Sequence, residues 1–389
     1  MLTAALETAY GPAADSAGVQ IVRAPGRVNL IGDHTEDSEG FVLPVAIELD
    51  TWLAFRRRED GLVRAVSRHS RQVGSFRIDA LAPAPGCGTG PVRWSDYVAG
   101  AAWSLREAAL PVRGCDGVVD TTIPIGSGLA SSAALELASA LALLDETVLS
   151  APSLAALAQR AERDYVGVDC GIVDQFAGAA GREGKALLLD CRSLDFRHVP
   201  LPFGVRVVVC DTGCKRDMRS SLLDTRRAEY ARAVALLAER MPGLYSLRDL
   251  SAASLRRHRH LLPENLARRA EHVVSENARV AATAAALEAG DLDELGRLFA
   301  ESHASLRDSY EVSSAALDEM VEVARAIPGV VAARMTGPGL GGCTVNLVLA
   351  DAVPALQAAV GREYDRRTGL RGRAYPVAVV DGAGRVATS

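Results

Sequence analysis

The 389-residue chain has no apolar run long enough to span a membrane, and its first residues lack the basic segment and apolar core of an export signal. It also has no basic tract and carries a net charge of −5. Nucleic acid is therefore not expected as a partner, because phosphate binding requires clustered lysine and arginine. These absences favour a cytoplasmic protein that acts on small molecules.

Cysteine and lysine are informative in different ways. The seven cysteines are scattered and show neither a CxxC pair nor a Cys/His ligand spacing, so no disulfide or zinc site is predicted. Of the 43 basic residues only Lys185 and Lys215 are lysine. Lys215 therefore stands out wherever positive charge matters.

The order of elements predicts an α+β protein with two domains, 1–200 and 201–389. Hydrophobic residues make up 49% of the chain and charged residues 23%, as in ordinary globular proteins large enough for two cores. Periodicity predicts strands at 21–30, 42–57, 62–77, 185–190, 203–211, 329–335, 343–349 and 374–380. It predicts helices at 94–109, 129–149, 153–166, 173–181, 220–240, 263–288, 292–307 and 313–326.

An unusual density of charge follows the first predicted strand. Within RAPGRVNLIGDHTEDSEGFVLP, an arginine and a histidine stand close to three carboxylates: Arg27, Asp33, His34, Glu36 and Asp37. Carboxylates accept paired hydroxyl protons and arginine stabilises negative charge, so this segment fits a cleft for a polyhydroxylated ligand. The alternative is a solvated turn after a strand.

A second motif, PIGSGLASSAA, leads directly into an apolar helix. Gly126 and Gly128 allow the backbone to approach an anion, Ser131 and Ser132 offer hydroxyls, and the helix start offers free N–H groups. This pattern predicts a phosphate-binding loop, although no Gly-Lys-Ser/Thr follows as in a P-loop. A glycine turn with a serine helix cap would explain the same residues.

A third motif, RMTGPGLGGC at residues 334–343, has four glycines within six residues and precedes a predicted strand. A glycine turn flanked by strands allows another backbone or a substrate group to come close. Taken alone, it does not identify a function.

In this order and spacing the three motifs resemble the GHMP kinase superfamily, and within it the galactokinase branch. The resemblance extends from about residue 20 to about residue 350. It implies a ribosomal-protein-S5-like N-terminal lobe, a ferredoxin-like C-terminal lobe, and ATP and a sugar bound between them. The nucleotide-binding residues it implies are Gly126, Ser127, Gly128, Leu129, Ser131 and Ser132.

The segment CGIVDQF at residues 170–176 resembles the galactokinase segment that carries the catalytic aspartate. The resemblance implies that Asp174 takes the proton of the anomeric hydroxyl, that Arg27 stabilises the transferring phosphoryl group, and that Gly171 lies at the sugar. A helix-start cap is the alternative role for Asp174.

Further roles follow from the same resemblance. Glu162 and Ser132 match the Mg²⁺ ligands of related kinases, and magnesium suits a site with few protein oxygens. Trp94 and Tyr97 resemble the aromatic segment that borders the nucleotide base. An exposed helix glutamate and an ordinary amphipathic helix are the respective alternatives.

The chain departs from the galactokinase pattern in its sugar-contacting residues. Galactokinases usually read GEHTDYN where this chain reads GDHTEDS, so the acids at Asp33 and Glu36 have exchanged lengths, and Leu223 stands where a sugar-contacting tyrosine is expected. Lys215 and Arg219 add positive charge nearby. This combination favours a longer or phosphorylated sugar, such as the octose phosphates of lincosamide antibiotic pathways. A solvated helix start is the alternative for these cations.

The expected activity is thus that of an ATP-dependent sugar 1-kinase with an altered sugar pocket. An ordinary galactokinase is one alternative, and a non-catalytic regulator that binds sugar and ATP is another. Such regulators tend to lose a catalytic or phosphate-loop residue, whereas this chain keeps Arg27, Ser132, Glu162 and Asp174. The sequence leaves open a monomer or a homodimer, and the effect of Ala130, where many relatives have serine.

Overall fold

The computed structural model of the protein describes residues 2–12, 18–83, 92–145, 147–214 and 222–386. Within those ranges no helix combines the length and apolar character needed to cross a bilayer, and the six cysteines there are free thiols. The strands are β1 Gln20–Asn29, β2 Phe41–Val42, β3 Pro44–Arg58, β4 Leu62–Ser67, β5 Val73–Arg77, β6 Gly114–Thr121, β7 Lys185–Asp190, β8 Phe196–Pro200, β9 Val205–Asp211, β10 Val330–Met335, β11 Cys343–Leu349, β12 Arg373–Val377 and β13 Gly384–Val386.

The helices confirm the predicted periodicity in most places. They are α1 Leu2–Tyr10, α2 Trp94–Glu107, α3 Ser131–Leu143, α4 Ala151–Arg160, α5 Val173–Ala180, α6 Leu222–Ala238, α7 Ala252–His258, α8 Glu264–Ala289, α9 Leu292–Ala304, α10 Ala315–Arg325, α11 Val353–Ala359 and α12 Asp365–Thr368. Three of these described helices continue into wider π-helical turns, α4 into Ala161–Val166, α9 into Ser305–Tyr310 and α11 into Val360–Tyr364. Such turns interrupt regular helical bonding and are frequent at functional sites.

The described residues form three sheets. The first has six strands in the order β13-β1-β3-β6-β4-β5, the second four in the order β10-β11-β9-β12, and the third three in the order β2-β7-β8. Helix α3 packs on β1 and β3, and α9 and α10 pack on β10. The α+β class is therefore confirmed.

Some sequence predictions were wrong in detail. The single strand expected at 62–77 is a hairpin of β4 and β5, and β6 was not predicted at all. Strand β6 contains glycines and aspartates that weaken its strand pattern, but β3 and β4 pair with it on both sides. Tertiary pairing thus outweighs local preference here.

The final described strand returns to the first sheet. β13 pairs antiparallel with β1, with Ile21 opposite Val386. The predicted division into 1–200 and 201–389 stays a prediction, and its boundary falls at the last residue of β8. Residues 384–386, which that division assigns to the second domain, lie in the sheet of the first.

A bulge shapes β1 at its functional end. The pairing register with β3 shifts between Pro25 and Gly26. Proline cannot donate to a sheet ladder, and bulges re-aim the side chains that follow them. The residue that follows this bulge is Arg27.

A buried ionic cluster joins the two halves of the chain. The fully buried guanidinium of Arg334, on β10, lies 2.7 Å from Oδ2 of Asp33 and donates to the Leu30 carbonyl at 2.9 Å. Glu276, on α8, accepts from the Gly32 backbone N–H at 3.1 Å. Burial opposes ionisation of Glu276, but Arg279 and Arg334 together hold its pKa at about 2. Residues of the first half are thus fixed by charges from the second.

We expect Arg334→Leu to lower the free energy of unfolding by about 3–5 kcal/mol, because removing one partner of a buried ion pair leaves the other charge uncompensated. Urea denaturation of the purified protein measures the change. Arg297→Leu is the matched control, since Arg297 is half-exposed and pairs only on the surface with Glu294 and Glu301. Its expected cost is below about 1 kcal/mol. Equal costs for the two variants would contradict a role for the cluster in joining the halves.

Candidate functional site

The site begins where β1 passes beneath the glycine-serine loop, residues 124–130. A Cβ atom on Gly26 would lie 2.6 Å from the Leu129 carbonyl oxygen, so only glycine allows this approach. The next residue, Arg27, donates from its backbone to the Leu129 carbonyl at 3.3 Å and from Nη1 to the Gly128 carbonyl at 2.6 Å. The loop and the strand are therefore held together by one arginine.

The same arginine holds Asp174. Nε of Arg27 donates to Oδ1 of Asp174 at 2.7 Å. Asp174 lies in the first turn of α5, where the helix dipole also stabilises a carboxylate. Arg27 is 9% exposed, whereas the Asp174 side chain is 35% exposed and faces a cavity. The arrangement presents an oriented carboxyl group to a ligand.

That cavity, called here the main cavity, has a volume of about 360 Å³. It brings together residues from distant parts of the chain. The predicted site residues on its wall are Arg27, Asp33, His34, Glu36, Asp37, Tyr97, Ser132, Glu162, Gly171, Asp174 and Leu223.

Other predicted residues lie elsewhere. Gly126 and Gly128 have φ angles of 78° and 82°, and Ala130, which precedes α3, adopts a left-handed φ of 63°. The Ser127 hydroxyl donates to the Pro124 carbonyl at 2.6 Å, and Ser131 begins α3. Trp94 begins α2 and is not on the cavity wall. Lys215 and Arg219 lie outside the described residues.

Glu162 comes from the π-helical turn that extends α4. It accepts a hydrogen bond from Nε2 of Gln175 at 2.6 Å. Burial raises the pKa of Glu162, and a hydrogen bond from the Ser132 hydroxyl opposes that rise. A serine hydroxyl and a carboxylate therefore meet at the wall that also carries Asp174.

A second glutamate lies behind Glu162. Glu136 is fully buried in α3 and accepts from the same Gln175 amide at 3.2 Å. Burial, followed by the charge of Glu162, raises the pKa of Glu136 well above its usual range. The sequence analysis missed both Glu136 and Gln175. The only signal for Glu136 was one acid within the apolar run LELASALALL.

Some side chains of the acidic loop, residues 32–39, anchor the loop to the rest of the protein, and others lie on the wall of the main cavity. Asp33 is 6% exposed, and its Oδ1 accepts from the Gly337 N–H at 2.9 Å in addition to its ion pair with Arg334. The Asp33 carboxylate, which we expect from the sequence to bind a sugar hydroxyl, therefore already has two protein partners. Asp37, at the exposed end, lies 3.4 Å from Nε of Arg227.

His34 and Glu36 are the loop residues whose ionisation is most altered. His34 has a left-handed φ of 64°, and burial lowers the pKa of its imidazole, which is therefore neutral. Burial, followed by the charge of Asp174, raises the pKa of Glu36 to about 8. The carboxyl group of Glu36 packs against Gly171, whose missing side chain makes room for it.

Three residues from the second half complete the wall, and the sequence analysis missed them all. The Tyr310 ring lies 4.7 Å from the imidazoles of both His34 and His272. Arg226 donates to the Tyr310 carbonyl at 2.7 Å and to Glu229 at 2.7 Å. Arg227 pairs with Asp37 and Asp169. The described cations of this wall are thus already neutralised by protein carboxylates.

Known proteins match the chain along most of its length. Residues 5–57 match the galactokinase galactose-binding signature, residues 96–182 the N-terminal domain of GHMP kinases, and residues 283–366 their C-terminal domain. A galactokinase of Chloroflexus aggregans is 45% identical over 367 residues, which cover 94% of this chain and 92% of the relative. A galactokinase of a Roseiflexus species is 45% identical over 368 residues, 94% of this chain and 93% of the relative.

Solved structures of GHMP kinases are also similar to this chain. The crystal structure of Lactococcus lactis galactokinase complexed with galactose superimposes with a TM-score of 0.91 at 35% identity, over 99% of this chain and 98% of that one. A Methanococcus jannaschii mevalonate kinase shares the fold, with a TM-score of 0.68 at 16% identity over 94% of this chain and all of that one.

Proposed function

We propose that this chain, which belongs to the galactokinase family of the GHMP kinases, transfers the γ-phosphoryl group of ATP to the anomeric hydroxyl of galactose. The reaction class, a sugar 1-kinase, follows from family membership. The sugar and the roles of individual residues are our proposal.

The pairing of Arg27 with Asp174 beneath the glycine-serine loop is the observation that carries the proposal. The Asp174 carboxylate is oriented by Arg27 and open to the cavity, as a general base must be. It accepts the proton of the sugar C1 hydroxyl while that oxygen attacks the γ-phosphorus. Arg27 then lies between the base and the loop, where it stabilises negative charge on the transferring group.

The glycine-serine loop and the start of α3 would hold the nucleotide phosphates. Backbone N–H groups at a helix start and left-handed glycines form a natural anion site. We assign the phosphates to Gly126, Ser127, Gly128, Leu129, Ser131 and Ser132. We assign Tyr97, on the cavity wall, and Trp94, one turn earlier on α2, to contacts with the nucleotide base.

Ser132 and Glu162 fit a magnesium ion. They are two oxygen donors in mutual contact on the wall that carries Asp174. Magnesium takes most of its ligands from water and phosphates, so it does not require the larger acidic cluster that is absent among the described residues. Bound there, it would neutralise charge on the β- and γ-phosphates.

The expectation of a longer or phosphorylated sugar is not supported. The relatives that cover 94% of the chain are galactokinases. Arg226 and Arg227, the described cations that the second half of the chain contributes to the wall, are paired with carboxylates and offer little to a phosphate group on the sugar. The departures at Asp33, Glu36 and Leu223 are therefore better explained as changes that a galactose pocket tolerates.

We expect Asp174→Asn to reduce kcat by about 10²–10⁴, because an amide of the same shape cannot accept the proton. A coupled ADP-release assay measures turnover, and calorimetry measures ATP binding, which should persist. Asp164→Asn, at a half-exposed surface position, is the control and should leave kcat unchanged. An Asp174→Asn enzyme with a normal kcat would refute the assignment of the base.

Ser132→Ala and Glu162→Gln should each raise the Mg²⁺ concentration at half-maximal activity by at least about tenfold, since each removes or weakens an oxygen ligand. Magnesium titrations at saturating ATP measure this. Glu301→Gln, on the exposed side of α9, serves as the control. Titrations that coincide with the wild type for both site variants would remove these residues as ligands.

The proposed substrate is tested by kcat/KM over a panel of sugars. Galactose should give the highest kcat/KM. An aldose phosphorylated at its far end should have a kcat/KM at least tenfold lower, because its phosphate would meet arginines that are already paired and the carboxylates of the acidic loop. A phosphorylated or eight-carbon sugar that exceeds galactose would overturn the proposal and restore the substrate first expected from sequence.

A further inference from the structure

A second cavity, called here the side cavity, adjoins the main cavity. It has a volume of about 280 Å³ and shares three wall residues with the main cavity, Glu36, Asp37 and Gly171. Its remaining wall is partly polar and partly apolar, formed by Gln159, Ile172, Cys191, Arg192 and Leu194. None of these five lies on the wall of the main cavity, so the two spaces meet only at the shared residues.

At the boundary between the cavities, the side chain of Glu36 packs on Gly171. The Glu36 carboxyl group packs so closely on Gly171 that a Cβ atom there would lie 2.6 Å from Oε2 and 2.5 Å from Cδ of Glu36. Closure therefore needs both a side chain as long as glutamate at 36 and no side chain at 171. An aspartate at 36 would end about 1.5 Å short, the length of one carbon–carbon bond.

We propose that Glu36 is a specificity-determining wall, which confines the sugar acceptor to the main cavity by closing the passage to the side cavity. The inference rests on the proposed sugar kinase activity and extends it. With the passage open, the side cavity would admit a short polar substituent on the sugar ring. Hydroxyl and amine groups suit it, because Glu36, Asp37 and Gln159 offer acceptors and Arg192 is already paired with Glu39 and Asp249.

Two substitutions at Glu36 separate the length of the side chain from its acidity. Glu36→Asp shortens the side chain and keeps its carboxyl group, whereas Glu36→Gln keeps the length and replaces the carboxyl group by an amide. The probes are galactose and galactoses that carry a hydroxyethyl or aminoethyl group on O2, O3, O4 or O6. The readout is the ratio of kcat/KM for each derivative to kcat/KM for galactose, so a general loss of activity cancels. Calorimetric binding of the same sugars gives the ratio independently of turnover.

Glu36→Asp should raise the ratio at least tenfold for one ring position, while Glu36→Gln should stay within about twofold of the wild type. Ratios unchanged in Glu36→Asp at every position, or raised equally in Glu36→Gln, would overturn the proposal. Because galactokinases usually carry aspartate at this position, the shorter acid is compatible with the fold.

A double variant tests whether the substituent on the sugar occupies the side cavity. Leu194 lines the side cavity but not the main cavity, and tryptophan there would occupy space in the side cavity, so Glu36→Asp combined with Leu194→Trp should return the ratio to the wild-type value. A ratio that stays high in the double variant would place the substituent elsewhere and refute the role of the side cavity. A wild-type enzyme that releases no ADP with galactose would instead refute the proposed function, whatever the variants do.

Discussion

The buried guanidinium of Arg334 is the constraint on which the site depends. It lies between Asp33 and Glu276 and donates to the backbone of the segment that leads into the acidic loop. A charge without solvent is costly unless its partners are in place, so the strand that carries Arg334 and the acidic loop must adopt one relative position. Packing of apolar surfaces alone would tolerate sliding between the two halves. The ion cluster prevents such sliding, because a shift would separate Arg334 from its carboxylate partners.

The main cavity exists because of that fixed relation. The first half supplies the groups proposed for chemistry, namely Arg27, Ser132, Glu162 and Asp174, and the second half supplies Leu223, Arg226 and Tyr310. Two of these, Glu162 and Tyr310, come from π-helical turns, where the widened backbone rotates a side chain away from the regular helical face. Irregular backbone therefore occurs at the cavity and regular elements support it.

Sequence reasoning found those features of the site that have a local pattern. The left-handed glycines at 126 and 128 and the carboxylate of Asp174 at a helix start both have signatures within a few residues. It did not predict contacts between residues that lie far apart in the sequence. Nothing near Arg334 indicated Asp33, and nothing near Glu136 indicated Glu162, because each pair forms only through tertiary packing. The departures in the sugar pocket predict a change of substrate from sequence alone, because the sequence does not show that Arg226 and Arg227 are already paired.

The return of β13 to the first sheet has a consequence for the order of folding. Arg385 bonds to Gln20 across 365 residues, so the open edge of β1 stays uncovered during synthesis until that distant strand has emerged from the ribosome. Closing so long a loop slows folding, and an uncovered edge strand is a site for association with other chains. Because β1 also carries Arg27, the strand that holds the proposed catalytic arginine becomes fully paired only late in the maturation of a newly made molecule. Nascent chains of this protein therefore pass through an aggregation-prone stage in which chaperone binding at the edge of β1 would be most useful.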